Sequence, residues 1–140
     1  MDYDSIPADE FGRSLKGLGV NLLSPDVPRL AAFLKGVFGL TLYRVTGDFA
    51  IATHAGTVFQ IHADPTFAAH PLHGLLPESP PRGAGVQLYL LGIDPDMAAR
   101  RAEAEGGMVI EAPRDKPHGL REATILSPEG YAFSPAVALR

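Results

Sequence analysis

Histidines are the side chains best suited to chemistry in this sequence, which contains five of them and no cysteine. The absence of cysteine excludes disulfides, thiolate metal ligands and cysteine nucleophiles. His62 and Asp64 lie two residues apart at the end of a predicted strand, where they could hold a metal ion weakly or form only a polar strand end. His70 and His73 are three residues apart, but Pro71 disfavours a helical ligand pair. We therefore expect a solvated loop around these two histidines.

Other common chemistries find no support in the residue pattern. The glycines match neither a phosphate-binding loop nor a dinucleotide-binding motif, and no serine lies in a nucleophile-elbow pattern. The chain has 12 Lys and Arg residues against 16 Asp and Glu residues, for a net charge of −4. These charges are interspersed, so we expect no nucleic-acid partner. No apolar run is long enough to cross a bilayer, and residues 1–13 have no apolar signal core. We therefore expect no membrane partner and a cytoplasmic location.

Strands and a helix must position these residues, and the first half of the chain predicts a βαβββ unit. Leu18, Val20 and Leu22 alternate with other residues as in a strand. Asp26 is a good helix N-cap, an apolar stripe of helical spacing follows it, and Gly39 ends the helix. Three further strands are predicted at Thr41 to Val45, Phe49 to His54 and Thr57 to His62.

The second half of the chain repeats this unit. Asp94 and Gly107 each lie 68 residues after Asp26 and Gly39, and such an internal repeat predicts two similar half-sheets. An alternative is two unrelated αβ pieces. The predicted elements are a strand from Val86, a helix over Met97 to Glu105, a strand over Met108 to Glu111, a polar loop from Ala112 to Gly119, and strands over Glu122 to Leu126 and Tyr131 to Val137.

The repeat predicts one domain with an N-terminal extension. The extension comprises residues 1–16, and the domain comprises residues 17–138. Within it, module one covers residues 17–63, a linking loop 64–85, and module two 86–138. For the residues before the first strand two interpretations stay open, a short helix around Ala8 to Leu15 packed on the outside or a loose tail.

Two segments resemble a known family. GLGVNLLSPDVPRLAAFLKGVFGL, residues 17–40, resembles the opening strand, helix and glycine stop of glyoxalase-like proteins. HGLREATILSPEGYAFSPAV, residues 118–137, resembles the closing hairpin of the same superfamily, with a Ser-Pro-Glu-Gly turn where Asp-Pro-Asp-Gly is usual. The chain is thus similar to the vicinal-oxygen-chelate superfamily of glyoxalases, bleomycin-resistance proteins and dioxygenases. The resemblance implies an α+β fold whose two βαβββ modules form a curled mixed sheet with a central cup, often in a homodimer.

The resemblance also locates the metal site that enzymes of this superfamily use. Its ligands come from the opening and last strands of each module, which correspond here to Gly19, Gln60, Gln87 and Ser134. Glycine has no ligating side chain, serine is a poor ligand for a divalent ion, and glutamine binds more weakly than imidazole or carboxylate. We therefore expect neither the usual metal nor another cofactor.

The implied cup would instead hold a small molecule. Its predicted polar contacts are Asn21, Gln60, His62, Gln87, Tyr89 and Ser134, and its predicted apolar lining is Leu23, Val58, Leu91 and Phe133. Arg121 could meet a carboxylate or phosphate of the ligand, or pair with Glu122 or Glu129. The resemblance places the loop of His118 near the mouth of the cup, where an imidazole could act as a catalytic acid or base.

The favoured hypothesis is a metal-free, glyoxalase/bleomycin-resistance-like protein that binds a small organic molecule, as a homodimer. The alternative is a lyase, isomerase or dioxygenase of the same superfamily, with a rearranged metal site or with acid/base chemistry through His118 or His62. A scaffold protein has little support, since no exposed apolar or charged stripe stands out.

Overall fold

The computed structural model describes all 140 residues, which divide into two compact units. The first unit comprises residues 1–31 and 40–75, and the second comprises residues 32–39 and 76–140. The helices are α1 (Ala8–Ser14), α2 (Val27–Phe38) and α3 (Pro95–Ala102). The strands are β1 (Asn21–Ser24), β2 (Thr41–Tyr43), β3 (Phe49–His54), β4 (Thr57–Ala63), β5 (Gly83–Leu91), β6 (Met108–Asp115), β7 (Leu120–Leu126) and β8 (Tyr131–Ala138). None of the helices is both long and apolar enough to span a bilayer.

Each unit contains one four-stranded mixed sheet with the same topology. The first sheet has the strand order β1-β4-β3-β2, and the second has the order β5-β8-β7-β6. In each sheet the opening strand pairs in parallel with the last strand, and the other pairs are antiparallel. The predicted α+β fold with a repeated βαβββ unit is confirmed.

Local signals at the helix ends explain why the helices begin and end where they do. The Asp26 carboxylate accepts a hydrogen bond from the Arg29 backbone N–H at 3.0 Å, and that of Asp94 accepts from Asp96 and Met97. Both aspartates are therefore N-caps, as predicted. Gly39 ends α2 with φ of 70°, a left-handed conformation that favours glycine.

The two glycines after α3 are needed for different reasons. Gly106 has φ of 84°, the left-handed conformation that Gly39 adopts after α2. A Cβ on Gly107 would come within 2.5 Å of the Phe33 ring. Gly107, which the repeat aligns with Gly39, is therefore required for close packing.

Aromatic packing forms the core of the second unit. The ring of Phe133 on β8 lies 6.3 Å from that of Phe33 and 5.5 Å from that of Phe38, both on α2. All three rings are buried. Helix α3 contacts β6, β7 and β8 and buries Ala98 and Ala102. Phe133 thus belongs to the helix-covered face of the second sheet.

The N-terminal segment forms the helix α1 and covers one face of the first sheet. Ile6 and Phe11 form a buried cluster with Ile51 of β3, which we call the N-terminal cluster. Tyr3, Tyr43, Phe49 and Val58 pack around it. Of the two open interpretations for these residues, the packed helix is the one observed. The opposite face of the first sheet is buried through Ala50, Ala52, Phe59 and Ile61.

Three strand predictions were wrong in their limits, and one of them is β5, which begins at Gly83 and not at Val86. β1 begins at Asn21, and Leu18 before it is 92% exposed, so Leu18 is not part of a buried strand face. β6 continues to Asp115, through residues predicted as a polar loop. Its pairing with β7 has two register shifts, so the strand continues through polar residues without a regular side-chain alternation.

Replacing Phe133 by alanine tests the assignment of this ring to the core. We expect Phe133→Ala to lower the free energy of unfolding by about 3–5 kcal/mol, because it leaves a cavity against two other rings. Urea denaturation followed by circular dichroism measures the change. Leu75→Ala, at a side chain 77% exposed, is the control and should change the stability little. A loss below about 1 kcal/mol for Phe133→Ala would contradict this packing.

Candidate functional site

A polar network covers the face of the second sheet opposite Phe133. β5 contributes Gln87 and Tyr89, β8 contributes Ser134, and β7 contributes Glu122 and Thr124. Tyr89 pairs with Ser134 across β5 and β8. Because side chains alternate along a strand, Ser134 lies on the opposite side of β8 from Phe133. We call these five residues, together with His118 in the loop before β7, the polar face.

The Glu122 carboxylate is the centre of this network. It is buried, with a side chain 3% exposed. His118 Nε2 lies 2.8 Å from Glu122 Oε1, and the Tyr89 hydroxyl lies 3.1 Å from both carboxylate oxygens. Gln87 Nε2 lies 3.5 Å from Oε2. A buried carboxylate is costly unless it accepts hydrogen bonds, so Glu122 fixes the positions of the three side chains that donate to it.

A second group of hydrogen bonds extends the network to β8. Gln87 Nε2 donates to Ser134 Oγ at 2.9 Å, and the hydroxyls of Ser134 and Thr124 share a hydrogen bond at 3.0 Å. Ser134 is fully buried. Gln87 and Ser134, which the sequence placed on one face, are therefore in direct contact.

His118 has one ring nitrogen committed and one available. Because a carboxylate only accepts hydrogen bonds, the proton of the imidazole lies on Nε2, toward Glu122. Nδ1 then carries a lone pair when the ring is neutral, and about half of the side chain is exposed. This arrangement, a histidine oriented by a buried carboxylate, is one that general bases use.

Tyr89 reports the electrostatics of the polar face. Burial, followed by the hydrogen bond to Glu122 and the charge of that carboxylate, raises the pKa of the Tyr89 hydroxyl. A negative charge nearby disfavours the formation of tyrosinate. Tyr89 therefore stays a hydrogen-bond donor to Glu122 at neutral pH.

The residues at the family's metal positions do not fit a divalent cation. In the second unit, the hydroxyl of Ser134 is engaged by Gln87 and Thr124, and the Gln87 amide nitrogen faces that hydroxyl. In the first unit, Gly19 lies before β1 and has no ligating atom. No group of three or more His, Asp and Glu side chains comes together as metal ligands would.

Arg121 pairs with different partners from those predicted. Its guanidinium binds both oxygens of the Asp96 carboxylate at 2.8 Å and Asp115 Oδ1 at 3.0 Å, and not Glu122 or Glu129. These contacts lower the pKa of Asp96 and raise the pKa of Arg121. The guanidinium thus joins the first turn of α3 to the β6–β7 hairpin, and its charge is already matched by two carboxylates.

The predicted site residues of the first unit share one face of the first sheet. Asn21 pairs with Gln60 across β1 and β4, and His62 lies two residues further along β4. His62 Nδ1 lies 2.7 Å from Asn21 Oδ1, and burial lowers the pKa of His62. Asp64, the other member of the pair considered for a metal, begins a 3₁₀-helix beyond β4.

Two of the four predicted apolar lining residues pack against other side chains and do not line a cup. The prediction for Phe133 is wrong, because its ring packs against Phe33 and Phe38 of α2. Val58 packs against the N-terminal cluster instead of facing open space. Leu23 is buried, whereas Leu91 is 56% exposed and follows Gln87 and Tyr89 in the alternation of β5.

Glu122 and Thr124 are the residues of the polar face that the sequence did not predict as site residues, and Glu122 was considered only as a partner of Arg121. Its spacing of four from His118 and of two from Thr124 was visible. Nothing in that spacing distinguishes a buried carboxylate from an exposed one, because its burial depends on Tyr89 and Gln87, which are distant in sequence.

Comparison with known proteins agrees with this fold. The family model of the glyoxalase/bleomycin resistance protein/dioxygenase superfamily matches residues 19–134. The chain therefore belongs to this superfamily. No protein among those with curated functions matches it.

Several solved structures share the fold at low sequence identity. A glyoxalase/bleomycin resistance protein/dioxygenase family enzyme from Burkholderia phytofirmans PsJN is 22% identical, with a TM-score of 0.69 over 86% of this chain and 97% of that chain. TioX from Micromonospora sp. ML1 is 21% identical, with a TM-score of 0.63 over 89% and 99% of the two chains. A lactoylglutathione lyase from Agrobacterium tumefaciens is 17% identical, with a TM-score of 0.60 over 87% and 92%. At these identities the likeness shows the fold alone.

Removing the charge of Glu122 should be visible at Tyr89. We expect Glu122→Gln to lower the pKa of Tyr89, because it removes the negative charge that disfavours tyrosinate. Alkaline titration followed by NMR of the tyrosine ring carbons measures the shift. Glu111→Gln is the control and should have a smaller effect, since Glu111 contributes least to the shift. An unchanged Tyr89 pKa in Glu122→Gln would contradict the network.

Proposed function

We propose that this chain binds a small organic molecule on the polar face of the second sheet, without the metal site usual in its superfamily. The observation that carries the proposal is the buried Glu122 carboxylate, which holds His118, Tyr89 and Gln87 in fixed positions. Side chains that are already ordered lose little conformational entropy when a ligand arrives. This preorganisation supports a binding role for the face.

The free atoms of the polar face indicate what the ligand offers. Gln87 Oε1 and His118 Nδ1 have no partner within the chain and accept hydrogen bonds, since the Gln87 amide nitrogen and the His118 Nε2 proton are already used. The partly exposed ring of Tyr89 and the exposed side chain of Leu91 offer apolar contact nearby. We therefore propose a ligand that donates hydrogen bonds and carries an apolar part.

The ligand can be sought directly and its seat tested by substitution. Native mass spectrometry of the freshly purified protein should detect a co-purified molecule, and a thermal-shift screen should supply further binders. We expect Gln87→Leu to weaken binding by about two- to twelvefold, because it removes one acceptor. His73→Leu should leave affinity unchanged, since His73 is an exposed residue of the 3₁₀-helix Pro71–Leu75, which replaces the loop expected there. Binders that Gln87→Leu and Glu122→Gln leave unaffected would refute the polar face as the site.

We also propose that the protein is a homodimer and acts in the cytoplasm. Val86, Met108 and Ile110 are each more than half exposed on the edge strands β5 and β6, and exposed apolar side chains on edge strands favour pairing with another chain. A chain without cysteine needs no oxidising compartment. Analytical ultracentrifugation across a concentration series tests the dimer, and a single species at the monomer mass would exclude it.

Acid/base catalysis is a second candidate, favoured by the His118–Glu122 pair. His118 Nδ1 could remove a proton next to a carbonyl group of a bound substrate, while the Glu122 carboxylate holds the ring and stabilises the imidazolium that forms. Returning a proton from Nδ1 to the substrate completes an exchange or an isomerisation. No metal takes part in this scheme.

Solvent exchange tests this second candidate without knowledge of the natural substrate. A panel of small carbonyl compounds is incubated with the protein in D2O, and loss of α-proton signals is followed by NMR. We expect exchange with at least one compound and a rate about 10²- to 10⁴-fold lower in His118→Asn. His73→Asn is the matched control. Exchange that survives in His118→Asn, or no exchange with any compound, would count against catalysis by this pair.

A further inference from the structure

Four aromatic rings lie in succession on the first unit, from β3 to the loop after β4. The His62 ring lies 4.8 Å from that of Phe49 and 5.6 Å from that of Phe67. The Phe67 ring lies 4.9 Å from that of His70. Phe67 ends the 3₁₀-helix Asp64–Phe67, and the backbone N–H of His70 donates to the Phe67 carbonyl at 2.8 Å. The loop after β4 thus places Phe67 between two imidazoles.

Hydrogen bonds give the two imidazoles opposite polarity. Asn21 Oδ1 accepts from His62 Nδ1, so the proton of a neutral His62 ring lies on Nδ1 and Nε2 carries a lone pair. His70 Nδ1 instead accepts from the backbone N–H of Leu72 at 3.0 Å, so its Nε2 carries the proton. One ring therefore presents an acceptor and the other a donor. Neither Nε2 atom has a hydrogen-bond partner within the chain.

The rings are held in place from behind and remain accessible. Phe49 also contacts Phe11 of α1, with ring centres 6.3 Å apart, so the N-terminal cluster supports the end of the row. His62 and Phe67 are half-buried, whereas His70 and Asn21 are exposed. A flat molecule can therefore reach the row. A purely structural aromatic cluster has no need for two imidazoles with complementary free nitrogens.

We infer that His62, Phe67 and His70 form a binding site for an uncharged, planar heteroaromatic ring with a ring N–H at one end and a carbonyl at the other. The N–H would donate to His62 Nε2, the carbonyl would accept from His70 Nε2, and the ring would pack on Phe67. Rings of the 4-quinolone type have this arrangement. The site extends the proposed function to the first unit and rests on it only in that the chain binds small organic molecules.

Two probes that differ only in the substituent on the ring nitrogen, hydrogen or methyl, test the inference. 4-Quinolone has the ring N–H, and 1-methyl-4-quinolone has the same ring and carbonyl without it. We expect the protein to bind 4-quinolone about two- to twelvefold more tightly, the effect of one hydrogen bond, as measured by NMR titration. His62→Phe keeps an aromatic ring without the acceptor and should abolish this preference. Phe67→Leu should weaken binding of both probes, and His73→Phe, the control, should change neither affinity.

The outcomes separate this site from the polar face of the second sheet. Equal affinity of the wild-type protein for the two probes, or a preference that survives in His62→Phe, would overturn the inference. If the preference is lost in Gln87→Leu but kept in His62→Phe, the probes bind at the polar face, and the proposed function stands while this inference fails. Absence of 4-quinolone binding would also overturn it, whatever ligand the polar face holds. Circular dichroism establishes that each variant is folded.

Discussion

The second unit depends on a single requirement, that the buried carboxylate of Glu122 must accept hydrogen bonds from side chains because water does not reach it. Donors from three separate segments meet that requirement: Gln87 and Tyr89 from β5, and His118 from the loop before β7. One interaction therefore links the edge strand β5 with β7 across β8. It also determines that Nδ1 of His118 and Oε1 of Gln87 are the atoms left without a partner in the chain. The group that holds this unit's polar side chains in place is thus also the centre of the binding site that we propose.

Strand alternation made much of the fold predictable from sequence. The caps at Asp26 and Asp94 and the strands β3, β4, β7 and β8 depend on neighbours close in the chain, and the structure has them within two residues of their predicted limits. The contact between Gln87 and Ser134 agrees with the family resemblance, which placed both residues at positions of one site. Prediction failed for β6. Its second half is polar and was predicted as a loop, but it pairs with β7 through register shifts that the sequence pattern does not show.

The candidate site was less predictable than the fold, for a physical reason. Burial of Glu122 and the pairing of Arg121 with Asp96 and Asp115 depend on side chains brought together only by folding. Phe133 is a different case, because strand alternation alone puts it on the opposite face of β8 from its neighbour Ser134, and its prediction as a lining residue overlooked that alternation. The first sheet adds a case that composition alone could not decide. Residues 3–11 are mixed in polarity, yet Tyr3, Ile6 and Phe11 bury themselves against β3.

The N-terminal cluster makes one face of the first sheet differ from the corresponding face of the second sheet. Ile6 and Phe11 pack on Ile51, so a substitution at that part of the first sheet must preserve its fit to this segment of the same chain. The corresponding face of the second sheet carries the polar face instead, whose side chains are held by hydrogen bonds to the Glu122 carboxylate. The N-terminal segment in this way makes the two halves of the repeat differ, because the first sheet buries part of this face against its own chain.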